Sequence, residues 1–354
     1  MWEVSAFSKE KEHISCPLPD QAWQEASPES QGISASNLEK FANFLYSENR
    51  KTDGLVIIRN NCLIYERYGR GYNRNMKHVG WSITKSISSA LLGILEGEKI
   101  VNRYTKVKDL LPYFDKKEHS NLNLLQLIQM RSGIKWIESY SNFITSNAIN
   151  MLYTEGFEDV ARYTASLGMI DKPGKKFQYV SGATNVLMSA LNKAVKKSEQ
   201  ENFPWIYLFE KIGMQSVTWE RDKSGAFIGA TGIFAIPRDY ARFGLLYLNN
   251  GNWNNQQIIP KSWIELSTRL PNDTPNNRSY GLGWWLNQPI ENGSKKEIPW
   301  KLGPPNMYAA RGYMGQYIII VPDMNMVVVR TGTEFNQTTK IEEIIPYILE
   351  LEKP

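Results

Sequence analysis

Strand-sized apolar runs lie at the two ends of this chain and almost nowhere between them, and this pattern constrains the fold more than any other. Gly54-Leu55-Val56-Ile57-Ile58-Arg59 and Cys62-Leu63-Ile64-Tyr65-Glu66-Arg67-Tyr68 flank Asn60-Asn61. Asparagine tolerates positive φ, so the stretch reads as a β-hairpin. At the far end 280–286, 316–321 and 326–330 are β-branched or aromatic and are split by turns such as Pro322-Asp323. From about 113 to 265 apolar residues recur at helical spacing instead, in 122–130, 157–167, 183–195 and 240–248.

The two ends are therefore expected to build one sheet layer flanked by helices. Leu38, Phe41, Ala42 and Leu45 mark a helix before the hairpin, and 342–351 marks one at the close. The chain divides into an N-terminal extension, 1–33, a sheet-containing α/β domain, 34–112 with 266–354, and a mostly helical domain, 113–265. Its class is α/β plus all-α. The extension carries Pro17, Pro19 and Pro28 and reads as lying on the surface or loosely ordered. The default place for a site is the cleft between the two larger parts.

One helical stretch carries chemistry. Gly80-Trp81-Ser82-Ile83-Thr84-Lys85-Ser86 runs into apolar positions Ile87, Leu91, Ile94 and Leu95. Positions three apart share a helix face, so the Ser82 hydroxyl and the Lys85 amine project into the same space. The pattern alone is weak, because Ser8/Lys11 and Ser132/Lys135 repeat it. The plain alternative is that Ser82 is an N-cap.

Burial among apolar groups lowers a lysine pKa, and a neutral amine can act as base to a serine that attacks a carbonyl. A proton relay and a second oxyanion donor are also needed. Among 18 tyrosines, Tyr179 in Tyr179-Val180-Ser181-Gly182 precedes a helix that would fix it, and a phenol near cations can ionise below its usual range. Glycines in Ala310-Arg311-Gly312-Tyr313-Met314-Gly315-Gln316 let a ligand approach the backbone. A Ser-His alternative uses His78, but the second glycine of G-x-S-x-G is missing after Ser82.

These three stretches resemble, in order and spacing, the motifs of the serine β-lactamase-like superfamily. Supporting stretches are Pro28-Glu29-Ser30-Gln31-Gly32, 125–133, 236–248 and Tyr280-Gly281-Leu282-Gly283-Trp284-Trp285. The resemblance is strongest to its class C-like group of 6-aminohexanoate-oligomer hydrolases and carboxylesterases. It implies an antiparallel β-sheet flanked by helices with an inserted helical domain. It also implies Ser82 as nucleophile, Lys85 as general base, Tyr179 as proton relay, and the N–H groups of Ser82 and Tyr313 as the oxyanion hole.

The departures bear on substrate. The family's β-lactamases and penicillin-binding proteins usually carry asparagine where Ser181 stands, and Lys-Thr-Gly where Gly312-Tyr313-Met314 stands. Without that lysine the expected substrate is a small ester or linear amide. The alternatives are a β-lactamase or D-amino-acid peptidase, and a non-hydrolytic acyl-binding or sensor protein. Trp81, Trp136, Trp284 and Trp285 are as readily core as cleft residues.

Other classes are poorly supported. The net charge of +5 is spread thinly, with no Lys/Arg run of nucleic-acid-patch length. No apolar run nears the roughly 18 residues of a membrane span. Three histidines without H-E-x-x-H give a metal few ligands, so neither metal nor organic cofactor is expected. The N-terminus shows no signal peptide; the expected compartment is periplasmic if a leader was removed and cytoplasmic otherwise. Pairing of Cys16 with Cys62 and the oligomeric state are left open.

Overall fold

The computed structural model describes residues 15–20, 22–140, 144–271, 279–292, 295–335 and 339–353. In chain order the elements that build the site are α1 (Ala35–Leu45), β1 (Thr52–Arg59), β2 (Cys62–Tyr68), β3 (His78–Val79), α2 (Ile83–Gly97), α3 (Val160–Ser166) and α4 (Ser181–Ala194). They continue with β4 (Thr218–Trp219), β5 (Ile233–Ala235), α5 (Pro237–Leu248), β6 (Trp285–Leu286), β7 (Tyr308–Gly312), β8 (Gln316–Val321), β9 (Met326–Gly332) and α6 (Ile341–Glu350).

The chain ends meet as expected, in an antiparallel sheet flanked by helices. Strand order is β2-β1-β9-β8-β7-β6. Strand β1 pairs with β9 in the register Val56↔Val329, Ile57↔Val328 and Ile58↔Val327. Asn60 and Asn61 have φ of 49° and 64°, the paired left-handed conformation of a two-residue hairpin turn. Side chains alternate across the sheet. Leu55, Ile57, Ile319 and Val328 pack with Phe41 of α1 and Ile345 of α6 on one face. Val56, Ile58, Ile318 and Val327 pack with Ile87 of α2 and Phe243 of α5 on the other. Both faces are covered, which is why these strands read as unbroken apolar runs.

Helix α5 approaches the sheet so closely that a Cβ at Gly244 would lie 2.6 Å from Val327. Helix α2 runs through the middle of the molecule, with Ile83 to Leu95 all buried. A Cβ at Gly93 would sit 2.3 Å from the Trp263 ring.

Two sequence expectations change. Only Trp285–Leu286 of 280–286 is a strand. Gly283, with φ of 82°, crosses the first turn of α2, and a Cβ there would lie 2.8 Å from the Lys85 carbonyl. The Ser86 hydroxyl donates to the Gly283 carbonyl at 2.6 Å. This glycine therefore serves a crossing rather than a pleat. The second change is a small sheet, β3-β5-β4, within and before the helical middle. Its strands are too short to leave a periodic signal.

The described part of the N-terminal extension lies on the surface but is firmly held. Cys16 and Cys62 form a disulfide across 46 residues. Ala26 N–H donates to the Leu63 carbonyl at 3.1 Å, and the buried Arg242 guanidinium donates to the carbonyls of Pro19, at 2.7 Å, and Asp20, at 3.0 Å. Closing a loop of 46 residues in the unfolded chain is worth on the order of 4 kcal/mol. The double variant Cys16→Ser/Cys62→Ser should lose about that much unfolding free energy, read from urea titrations under oxidising conditions.

Candidate active site

Ser82 immediately precedes α2, and several contacts fix its approach. Gly80 N–H donates to the Ile233 carbonyl of β5 at 2.8 Å. A Cβ at Gly80 would meet the Tyr240 hydroxyl at 2.7 Å, so only glycine fits beneath that ring. Trp81 adopts φ of 47°, a left-handed conformation that strains a bulky residue. The hydroxyl that follows makes no capping bond to α2. It accepts a hydrogen bond from Lys85 Nζ at 2.9 Å.

Lys85 is fully buried, and its ammonium also donates to the Ala230 carbonyl at 3.0 Å. Loss of water around the amine pulls its pKa from 10.5 down to about 8, against an opposing pull from Glu138. The pair expected from sequence is thus brought together with the amine part-way to neutrality.

Tyr179 completes a cluster around Ser82. Its phenol lies close enough to Ser82 for that hydroxyl to favour its ionised form, and Lys85 Nζ lies 4.9 Å from its ring centroid. Trp285 stacks on the ring at 5.8 Å and Tyr280 meets it edge-on at 6.0 Å. The expectation that nearby cations would let this phenol ionise early is overturned. Burial pushes its pKa well up, outweighing Ser82 and Arg311, so the resting group is a protonated phenol.

The third stretch abuts the first through its backbone. Strand β7 ends at Gly312, where a Cβ would come within 2.2 Å of the Gly80 carbonyl. Tyr313–Gly315 form a single turn with Met314 at φ of 62°. The Gln316 amide nitrogen donates back to the Tyr313 carbonyl at 3.1 Å. The Tyr313 ring packs edge-on to Trp81 at 5.7 Å and stacks on Tyr140 at 5.1 Å. Ser82, Lys85, Tyr179 and Tyr313 therefore converge.

The competing candidates fall away. His78 presents Nε2 to Asp53 at 2.9 Å and Nδ1 to the Val79 carbonyl at 3.2 Å, so both nitrogens are engaged away from Ser82. Lys135 is exposed while Ser132 is buried and accepts the Ile134 N–H at 3.3 Å. Ser8 and Lys11 lie outside the described residues. Among the described residues no group of three or more His, Cys, Asp or Glu could hold a metal, and no helix is long and apolar enough to cross a membrane. Of the tryptophans, Trp284 is core against Phe243 and Tyr247, while Trp285 is half-buried against Tyr179.

A cavity of about 710 Å³ opens beside Trp285, walled by Leu286, Ile290, Ile298, Trp300 and Arg311. The Arg311 guanidinium lies 5.2 Å over the Trp285 ring. Sequence reasoning missed Glu138, Tyr140 and the Ala230 carbonyl. All three sit in irregular segments without periodicity, and a backbone acceptor leaves no sequence signal.

The chain matches the protein-family model described as Beta-lactamase over residues 39–351. It is 24% identical over 225 residues to a 6-aminohexanoate-dimer hydrolase of Paenarthrobacter ureafaciens, an alignment taking in 62% of this chain and 57% of that protein. The alignment thus spans a little over half the length of that curated relative. A Bacillus anthracis structure named for 6-aminohexanoate-dimer hydrolase superposes with a TM-score of 0.75 at 22% identity, covering 95% of this chain and 89% of that one. A family VIII carboxylesterase superposes with a TM-score of 0.69 at 12% identity, covering 93% and 99%. At these identities the superpositions speak to the fold.

The lowered pKa of Lys85 has a sign that can be checked. The native state releases this proton near pH 8 and the unfolded chain near 10.5, so the cost of the buried charge is present below 8 and is relieved as pH rises through that window. In NMR spectra of lysine-labelled protein one resonance should titrate near pH 8, and Lys85→Arg should remove it.

Proposed function

The chain belongs to the beta-lactamase family, and on that premise we propose that it is a serine hydrolase cleaving esters or small linear amides through an acyl-enzyme on Ser82. The observation that carries this reading is the 2.9 Å hydrogen bond between Ser82 Oγ and a fully buried Lys85 amine. A neutral Lys85 takes the hydroxyl proton as Oγ bonds to the substrate carbonyl carbon. The N–H groups of Ser82 and Tyr313 receive the oxyanion. Tyr179 gives its proton to the departing alkoxide or amine and recovers one from the Lys85 ammonium, and the scissile C–O or C–N bond breaks. Water then attacks the acyl carbon, its proton passing to Lys85; the acyl–Oγ bond breaks, and Oγ takes a proton back from the Lys85 ammonium, which regenerates Ser82.

Ester or linear amide substrates are favoured by the absence of a lysine in the third motif, where Gly312, Tyr313 and Met314 stand. The cavity beside Trp285, which Glu297, Lys301, Arg311 and Glu342 also line, is of a size to take one arm of such a substrate. The likeness to a 6-aminohexanoate-dimer hydrolase makes short ω-amino-acid oligomers the first amides to try. The two walls of the proposed cleft are the sheet-containing part, 34–112 with 266–354, and the helical part, 113–265, of which α5 also contacts the sheet.

A fluorophosphonate probe should label Ser82, read by peptide mass spectrometry, and Ser82→Ala should abolish both labelling and p-nitrophenyl ester turnover. Lys85→Ala and Tyr179→Phe should each lower kcat by roughly 10²–10⁴ with smaller changes in KM. Full activity in Ser82→Ala would end the proposal. Nitrocefin turnover faster than ester or amide turnover would move it to a β-lactamase.

A further inference from the structure

One carboxylate outside the three motifs touches two of them directly or through a single side chain. Glu138 Oε1 accepts the Ser181 hydroxyl at 2.6 Å and the Tyr140 hydroxyl at 3.0 Å. Its Oε2 accepts the Ser181 N–H at 3.0 Å and the Trp136 indole N–H. Ser181 opens α4 two residues after Tyr179, and Val180 before it offers no side-chain cap. Tyr140 carries the connection to the third motif, because its ring stacks on Tyr313. Trp136 extends the same brace, since a Cβ at Gly182 would strike its ring at 2.7 Å.

We propose that Glu138 is the positioning residue of this site: its carboxylate fastens Tyr179 and Tyr313 around Ser82 and is the counter-charge for Lys85 when that amine takes up the serine proton. The proposal rests on the reading of Ser82 as nucleophile and Lys85 as base. Lys85 meets the Ser82 hydroxyl, the Ala230 carbonyl and the Tyr179 ring, all uncharged partners, and the acid whose field acts on it is Glu138. An ordinary helix cap needs only one acceptor for α4. Four donors hold this carboxylate instead, fixing its position before the reaction begins.

The sign follows from charge. Glu138 favours the ammonium form of Lys85, against burial. Glu138→Gln keeps the shape and removes the charge, so Lys85 should become neutral at lower pH. With p-nitrophenyl acetate, the acid limb of kcat/KM should move down by about half a pH unit or more relative to wild type. At the optimum kcat should fall about tenfold or more while KM changes little. Glu138→Asp restores the charge, so its limb should stay near the wild-type position even if kcat is reduced.

Melting curves establish that each variant is folded. A Glu138→Gln profile whose acid limb stays at the wild-type pH overturns the counter-charge role, and unchanged kcat overturns the positioning role. Should Glu138→Gln fail to fold, a Glu138→Asp limb displaced as far as half a unit overturns the proposal. Failure of wild-type Ser82 to take a fluorophosphonate is a different result, since it refutes the hydrolase reading on which this one rests.

Discussion

A lysine amine without water around it is the constraint on which the rest of the structure depends. In solvent Lys85 would hold its proton and Ser82 would remain an ordinary hydroxyl. Here α2 is enclosed from Ile83 to Leu95 by the sheet, α4 and α5, and the amine has one hydroxyl and one carbonyl to satisfy it. Enclosure on all sides requires a large body for a small site. It also explains the close approaches at Gly93 and Gly283, which bring Trp263 and the chain before β6 against α2, and at Gly244, which brings α5 against the sheet.

Local strain flanks both of the N–H groups proposed as oxyanion donors. Trp81 and Met314, both bulky, take left-handed backbone conformations next to Ser82 and Tyr313. Such conformations cost on the order of 1 kcal/mol or more each and persist only where surrounding contacts impose them. Those contacts are visible: the Tyr240 ring beneath Gly80, and the Gly312 backbone against the Gly80 carbonyl. Because the strain flanks the two N–H groups proposed for the oxyanion, it bears on how those groups are aimed.

Much of this was legible in the residues, and the failures share a physical cause. Asn60-Asn61 announced a hairpin because few other residues accept two successive left-handed conformations. Ser82 and Lys85 announced a pair because a helix turn brings them together whatever surrounds it. Tyr179 was singled out, yet its protonation was misjudged, since the sign of its shift depends on how much water burial removes and not on which cations are near. Gly281 and Gly283 read as strand because their apolar and aromatic neighbours mimic one, whereas the strand is Trp285–Leu286. Glu138 carried no signal, as its importance comes from Ser181, more than forty residues away in sequence, and from a tyrosine and a tryptophan beside it.

The pairing of β1 with β9 has a bearing on how the protein comes into being. Synthesis from the N-terminus delivers the hairpin and then α2, but β1 gains its second neighbour only when residues 326–332 have left the ribosome. Until then an apolar strand edge and a helix whose every face from Ile83 to Leu95 is buried in the finished fold stand open on the nascent chain. Completion of the sheet and enclosure of the lysine thus fall at nearly the same moment of translation. A polypeptide stalled or cut before residue 326 would carry Ser82, Lys85 and Tyr179 and still lack the dry surroundings their chemistry requires.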